Sequence, residues 1–418
     1  MGDHVSRTKA EVQIAAWGAL TFGALLASFM AFRPVRDALV LDGNADQIPW
    51  LFTGTFIAVT LVTPIWGAAV HRKPRRVVPI AFHVFAACAL GFFAAIRAEI
   101  EPVTVGRVFY MWSAVFNIFV VSVFWSLLAD LLGHDTARRL YGPIAAGGTL
   151  GGVAGPALTK LLLDDIGVAG VLVLTAVLLE LAVLGVWQLR RIGDTLEGDR
   201  AQDEALPPRT PFEGLRQLLD NRYLAAIGAY VLCTATAGTF VYLAQADIVK
   251  QAIPDRVART DFFATIDLWV NAGTFVVQML LAGPLLRWLG PGLLLCVLPL
   301  AQGAGIIALV AAPTLATLVV VQVSSRITTH GITRPARELL FTVVSRDEKY
   351  RAKNVIDTFI FRFGDTGAAW LRLGLVEAHA GGLALSGAAV PLTLIWLVLA
   401  LGLGVGFRRR THVMESSS

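Results

Sequence analysis

The sequence predicts an all-α integral membrane protein with twelve transmembrane helices in two parallel repeats of six. Three observations predict it: the composition, the number and length of the apolar runs, and a polar stretch between two sets of six runs. Of the 418 residues, 56% are hydrophobic and 16% are charged, and the mean hydropathy is +0.67. A soluble domain of this size does not need so apolar a chain, so we expect it to lie in a membrane.

Each apolar run is long enough for a helix to cross roughly 30 Å of hydrocarbon. The first set covers residues near 11–37, 48–70, 77–97, 105–132, 143–163 and 167–189. The second set covers residues near 223–248, 262–287, 291–312, 314–340, 353–376 and 383–407. The first run lacks an A-x-A cleavage site and is followed by many others, so we interpret it as a transmembrane helix and not a secretory signal.

The polar stretch divides the chain into three predicted parts. Residues 190–222 are rich in charge and contain Pro207, Pro208 and Pro211, which no membrane helix would accommodate together. We expect a cytoplasmic linker there, with one short surface helix. The two six-helix halves are then residues 1–189 and 223–418.

Basic residues predict the orientation. With both termini in the cytoplasm, about 22 Lys and Arg fall in cytoplasmic segments, about 8 in outer loops and helix ends, and about 5 inside the runs. This asymmetry explains the pI of about 9.3 without a nucleic-acid partner. The expected location is the bacterial inner membrane, with lipids around the helices.

The sequence gives little support to an enzyme. Cys88, Cys233 and Cys296 each lie in an apolar run, without a CxxC pair or a histidine cluster, and are interpreted as packing residues. The sequence has no HExxH, P-loop, zinc-ligand or nucleophile–base pattern. We therefore predict no catalytic, metal or cofactor site.

Charges inside the runs are the candidate binding residues, because each costs roughly 2.5–3.5 kcal/mol on insertion scales. In the tenth run, Arg326, His330, Arg334 and Arg337 fall within roughly 80° on one α-helical face. Arg326 and His330 are predicted to bind solute. Arg334 and Arg337 approach the cytoplasmic end, where they can reach the interface or pair with Glu338.

The eighth and eleventh runs add acidic candidates. Arg362 and Asp365 are three residues apart and can neutralise each other. A structural ion pair and a solute or proton site are equally open for them. Asp267 shares a helix face with Asn271 and is a further candidate.

The first and fourth runs complete the predicted set. Arg33 and Asp37 can pair at i and i+4, which makes Arg36 available to a solute. Pro34 would open a backbone carbonyl locally, as in the broken helices of transporters. Asn117 lies in the middle of the fourth run, where an amide more often joins helices than binds a ligand.

Glycines in the fifth run form overlapping GxxxG steps. They are Gly147, Gly148, Gly151, Gly152 and Gly155. Small residues at this spacing allow two membrane helices to approach closely, so we predict close packing there.

The two halves repeat a charged pattern at the cytoplasmic ends of the fourth and tenth runs. In each half, an acidic residue followed by two leucines precedes an Asp-x-x-x-Arg step. The pattern covers Asp130 to Arg139 in the first half and Glu338 to Arg351 in the second. Parallel halves that rock about a midplane site would use such acid–arginine pairs as gates. These four residues are the predicted gate, although solvated loop charges are an equally open interpretation of any one of them.

Two segments resemble known transporter families. The loop from Gly67 to Arg76, GAAVHRKPRR, resembles the cytoplasmic loop motif of the major facilitator superfamily. The FRPVRDALVL segment at 32–41 resembles the first-helix signature of the ATP/ADP translocase family, and residues 123–142 are also similar to that family. This resemblance implies a major facilitator-like fold, nucleotide exchange as an antiporter, and a basic binding residue at Arg36. The family's other three binding charges fall at Ser113, near Tyr242 and at Asp365.

Three functions remain open at this point. The first is a secondary transporter that moves a small anionic, nucleotide-like or phosphorylated metabolite by alternating access. The second is proton-coupled efflux of drugs or small metabolites, with Asp37, Asp267 or Asp365 as proton carrier. The third is a membrane scaffold that does not transport and binds its partner through residues 190–222.

Overall fold

The computed structural model describes residues 2–43, 45–72, 74–132, 134–193, 211–377 and 382–417. The α-helices of these residues are α1 (Gly2–Val40), α2 (Ile48–Arg72), α3 (Pro74–Arg97), α4 (Pro102–Leu131), α5 (His134–Gly193), α6 (Pro211–Asp220), α7 (Arg222–Ala252), α8 (Arg256–Val277), α9 (Gly283–Ala311), α10 (Leu315–Ile327), α11 (Arg334–Leu340), α12 (Arg346–Asn354), α13 (Phe361–Glu377) and α14 (Gly382–Ser417). Short 3₁₀ turns lie at Ala45–Gln47 and Phe341–Val343. The predicted all-α class is confirmed.

Two of the helices are broken at a glycine. Gly167 in α5 has φ +66°, and Gly290 in α9 has φ +70°. Glycine adopts positive φ without the steric cost that a side chain would add. Both breaks lie where the sequence predicts a boundary between two runs.

Seven helical stretches of the described residues are long and apolar enough to cross a membrane. Two of them, Arg139–Gly193 with 55 residues and Arg256–Ala311 with 56, contain these breaks. At 1.5 Å per residue each would extend about 80 Å, more than twice a hydrocarbon layer. Each stretch therefore has length for two crossings, and the count of twelve crossings remains a prediction.

Contacts divide the chain into two compact units. Unit 1 comprises Met1–Gly43, Ile57–Pro207 and Pro254–Leu268, and unit 2 comprises Asn44–Phe56, Pro208–Ile253 and Trp269–Ser418. The first half of α8 thus belongs to unit 1 and its second half to unit 2. The division at residues 189 and 222 remains a prediction. Most of the predicted linker lies outside the described residues, and α6 is the short helix expected in it.

In unit 1, α5 packs directly on the backbone of α1. A Cβ atom on Gly147 would overlap the carbonyl oxygen of Ala19, and one on Gly151 would overlap that of Gly23. Thr159 strengthens the contact by donating a hydrogen bond to the carbonyl oxygen of Ala31 at 2.8 Å. The close packing predicted from the GxxxG steps is confirmed.

In unit 2, three π-helical segments interrupt otherwise continuous helices. They are Gln278–Ala282, Thr328–Thr333 and Val355–Ile360. Such segments occur often at functional sites, because the extra residue changes which side chains face one direction. The second contains His330 and follows Arg326, and the third precedes Arg362.

Candidate functional site

The charges at the end of α1 share one carboxylate. Arg36 donates to Asp37 Oδ1 from Nε at 2.9 Å and from Nη2 at 2.7 Å. Arg33 Nε lies 4.0 Å from the other carboxylate oxygen of Asp37. Asp37 as a whole is only 6% exposed. The predicted Arg33–Asp37 pair is therefore confirmed. The expectation that Arg36 stays outside it is wrong, because the long arginine side chain reaches back to the adjacent carboxylate.

A second carboxylate reaches this cluster from α8. Asp267 is 2% exposed, and its Oδ1 lies 3.6 Å from Nη1 of Arg33. The guanidinium of Arg36 lies over the ring of Tyr110 in α4, 5.2 Å from the ring centroid. We call Arg33, Arg36, Asp37 and Asp267 the α1 cluster. Its two guanidinium groups and two carboxylates sum to zero formal charge.

The first half of α8 carries further ion pairs within unit 1. Asp42 accepts from Arg256 and from Arg259, each at 2.7 Å, and Arg259 is 5% exposed. Lys160 of α5 donates to Asp261 at 2.7 Å and to Thr265 at 2.9 Å. Each of these pairs joins α8 to another helix or to the end of α1.

Sequence reasoning missed these α8 pairs. The available signal was a run of charges at one helix start, Arg256, Arg259 and Asp261, together with Asp42 just beyond the first run. Their partners lie 101 to 217 residues away in sequence, so spacing alone could not join them.

Unit 2 holds the remaining acidic candidate on α13. Asp365 Oδ2 lies 3.5 Å from Arg362 Nη1, which confirms the predicted pairing. The hydroxyl of Thr239 in α7 donates to the other oxygen of Asp365 at 3.0 Å, and Thr239 is 3% exposed. Gly364 brings α13 close to α7, since a Cβ there would lie 2.8 Å from that of Ala235. Asp365 is thus held between its own helix and α7.

The basic face of the tenth run is not a uniform α-helix. Its π-helical segment lies between Arg326 and Arg334, so the 80° arc expected for an α-helix does not extend over the whole set. Arg326 and His330 are half-buried, and the backbone carbonyl of His330 accepts from Gln278 at 3.1 Å. Arg337 pairs with Asp357 at 2.9 Å and lies 3.8 Å from Glu338.

Two of the predicted gate residues form ion pairs. Arg139 pairs with Glu11 at 2.7 Å, and Glu338 pairs with Lys353 at 2.7 Å. Both partners, Glu11 on α1 and Lys353 on α12, lie outside the predicted set of gate residues. Asp130 is exposed, as is Asn117 in the middle of α4. The side chain of Arg351 lies outside the described residues.

Long apolar helices, with the Arg33–Asp267 contact buried between α1 and α8, define an integral, multi-pass membrane protein. The family model described as Major Facilitator Superfamily matches residues 14–349. The chain belongs to that superfamily, whose members transport solutes and are not enzymes.

Curated relatives support the resemblance seen in the first run. The chain is 22% identical over 325 residues to ADP,ATP carrier protein 1 of Chlamydia muridarum (strain MoPn / Nigg), a match that covers 69% of this chain and 60% of the relative. ADP,ATP carrier protein 1 of Chlamydia trachomatis serovar D matches at the same identity, over 61% of its length. The chain thus matches about three fifths of the length of these relatives.

Solved structures share the fold. The nucleoside transporter NupG aligns with 96% of this chain and 99% of its own at a TM-score of 0.62 and 14% identity. An auto-inhibited peptide transporter of the POT family aligns at 0.62 and 12% identity, over 96% of this chain and 97% of its own. A bacterial homologue of the iron transporter ferroportin aligns at 0.57 and 16% identity, over 96% and 98%. At these identities the likeness concerns the fold alone.

Proposed function

We propose that this protein is a secondary transporter that moves a small anionic metabolite, nucleotide-like or phosphorylated, by alternating access. The observation that carries the proposal is Arg36, a guanidinium held over an aromatic ring inside a membrane helix. The relationship to ADP,ATP carriers supports a nucleotide-like solute. The excess of basic residues in the predicted inner loops supports cytoplasmic termini in a bacterial inner membrane.

The α1 cluster suggests how an anion would bind. Arg36 now donates two hydrogen bonds to Asp37, whose carboxylate also faces Arg33. A phosphate or carboxylate of the solute offers the same acceptor geometry as Asp37, so it can replace that carboxylate at Arg36. Asp37 would keep Arg33 as its partner during the exchange. Tyr110 would keep the guanidinium oriented, and its ring can also contact an aromatic base.

Unit 2 holds further proposed solute-binding residues. The proposed residues are Arg326, His330, Arg362 and Asp365. Arg362 would release Asp365 and bind the solute, in the same way as Arg36 would release Asp37. Asn117 remains a weaker candidate. The proposed gate consists of Asp130, Arg139, Glu338 and Arg351. Arg139 would act through its pair with Glu11, and Glu338 would act through its pair with Lys353.

A thermal-shift screen of the detergent-purified protein tests solute binding. Nucleotides, sugar phosphates and organic acids are added one at a time, because a ligand that binds only the folded state stabilises it, by about 2.7 kcal/mol at a hundred times its dissociation constant. We expect at least one phosphorylated compound to raise Tm. Arg36→Gln should remove this rise, and Arg36→Lys should reduce it, since lysine cannot form the bidentate contact.

Arg216→Gln is the matched control. Arg216 lies on the short helix α6, and its side chain is 87% exposed. This variant should keep the full ligand-induced rise in Tm. An equal rise in the Arg36→Gln variant would show that Arg36 does not bind the solute.

Proton coupling is the second candidate, and Asp267 favours it. This carboxylate is 2% exposed inside a membrane helix and lies beside Arg33. Uptake into proteoliposomes is measured with and without an imposed pH gradient. Uptake that depends on the gradient in the native protein and not in Asp267→Asn would favour proton coupling. Uptake that ignores the gradient would exclude it.

A further inference from the structure

One hydrogen-bonded pair includes none of the residues assigned above. His83 Nδ1 of α3 lies 2.9 Å from Glu180 Oε1 of α5, within unit 1. The side chains are 51% and 47% exposed, so each has about half of its surface uncovered by the rest of the described chain. Neither the solute site nor the gate uses this pair.

We expect the pair to lie near the middle of a predicted membrane crossing. Glu180 is thirteen residues from the break at Gly167 and thirteen from the helix end at Gly193. At 1.5 Å per residue this places it about 20 Å from either end of the segment, near its middle. Lipid headgroups do not reach such a depth, and hydrocarbon tails offer no hydrogen bond.

The surface around the pair is apolar and continuous along both helices. Its large exposed side chains are Ile80, Val84 and Leu90 on α3 and Val177, Leu181, Leu184 and Trp187 on α5. Two small exposed residues of α3, Ala87 and Gly91, lie one helical turn apart next to His83. A Cβ on Gly91 would meet nothing within 4 Å. We call this surface the His83–Glu180 face.

We propose that the His83–Glu180 face binds a second copy of this chain within the membrane. A two-fold contact brings the same patch of two copies together, so a patch must be complementary to itself. An imidazole beside a carboxylate meets this requirement, because His83 of one copy can face the partner's Glu180 and the reverse. His83 Nε2 and Glu180 Oε2 have no partner among the described residues. With both ring nitrogens protonated, His83 can donate to its own Glu180 from Nδ1 and to the partner's Glu180 from Nε2.

Other occupants fit less well. A lipid would leave the outer atoms of both polar groups in hydrocarbon, at a cost of kilocalories per mole. A different membrane protein would need its own acid and base at matching depth, whereas a second copy carries them by construction. The small residues Ala87 and Gly91 would allow α3 of the two copies to approach closely.

Single-molecule photobleaching tests the proposal in liposomes. The full chain carries one fluorophore on its C-terminus and is reconstituted at falling ratios of protein to lipid. We expect two bleaching steps per liposome at protein-to-lipid ratios so low that independently inserted chains would give only one step. Ala87→Trp should shift the dimer midpoint by at least about tenfold, a change of about 1.4 kcal/mol, because the indole would stand between the two faces.

Two further variants keep the test decisive. Val398→Trp, at another exposed position, on α14 in unit 2, is the matched control and should leave the midpoint unchanged. The double variant His83→Leu, Glu180→Leu places apolar side chains against hydrocarbon and should also weaken dimerisation. This variant provides the test if Ala87→Trp does not fold. One bleaching step for the native chain at every ratio would overturn the proposal. So would a double-leucine variant that dimerises as tightly as the native chain.

Discussion

At the scale of single residues, carboxylates hold this protein's buried cations in place. Asp37 contacts two arginines of its own helix, Asp42 contacts two arginines of α8, and Asp365 is shared by Arg362 and Thr239. An arginine that keeps its charge in a low-dielectric setting needs such a partner, because an uncompensated buried charge is costly. Removing one carboxylate should therefore affect stability more than removing an exposed one.

Asp42→Asn tests this at the α8 pairs. The change leaves Arg259, whose side chain is 7% exposed, without its carboxylate. We expect the free energy of unfolding to fall by about 3 kcal/mol, measured as a lower Tm by tryptophan fluorescence. Asp220→Asn removes an acid that is 73% exposed and should change Tm little. Equal effects of the two substitutions would show that the α8 pairs do not stabilise the fold.

Glu348 should make stability depend on pH. It lies between two predicted membrane runs, and the hydroxyl of Ser345, aided by the Ser345 backbone N–H and by Asn221, lowers its pKa from 4.5. A carboxyl whose folded pKa is lowered contributes its full stability above 4.5, and that contribution is lost as pH falls through the folded pKa. The Tm difference between the native protein and Glu348→Gln should thus be constant above about pH 6 and shrink in acid. A difference that grows in acid would contradict this account.

At the scale of helices, α1 and α5 form the tightest contact, and it depends on glycine. A Cβ on Gly151 would overlap backbone atoms of Gly23, which cannot move as a flexible side chain could. Gly151→Ala should therefore separate the two helices and lower the free energy of unfolding by about 1–3 kcal/mol, as overpacking typically does, which is measured as a lower Tm.

Gly142 provides the control on the same helix. A Cβ there would meet nothing within 4 Å, so Gly142→Ala should be tolerated or slightly stabilising. If Gly151→Ala keeps the native Tm while Gly142→Ala lowers it, the packing of α1 on α5 is not as described.

The helices and their close contacts were predictable because they depend on local pattern. The GxxxG steps around Gly151 and the breaks at Gly167 and Gly290 follow from residue type and spacing. Pairs within a helix, such as Arg362 with Asp365, follow from the same geometry. Pairs between distant segments do not: nothing in the sequence indicates that Asp42 meets Arg259 or that His83 meets Glu180. The π-helical segment after Arg326 was also missed, because no residue type specifies it.

At the scale of the whole molecule, the chain combines a transporter fold with arginines inside its membrane helices. The fold alone permits many solutes, since its solved neighbours include a nucleoside transporter, a peptide transporter and a homologue of an iron transporter. The proposed preference for an anion therefore depends on particular side chains, above all Arg36, with Arg326 and Arg362 in unit 2.

Counterflow uptake tests the central claim most directly. The purified protein is reconstituted in liposomes loaded with an unlabelled compound, and entry of the labelled compound is followed for ATP, ADP and sugar phosphates. We expect saturable uptake of at least one of these anions by the native protein and by Arg216→Gln. Arg36→Gln and Arg326→Gln should lose it while remaining folded, as judged by a cooperative thermal transition. Uptake by Arg36→Gln at the native rate, or a native protein that carries only neutral or cationic solutes, would contradict the account.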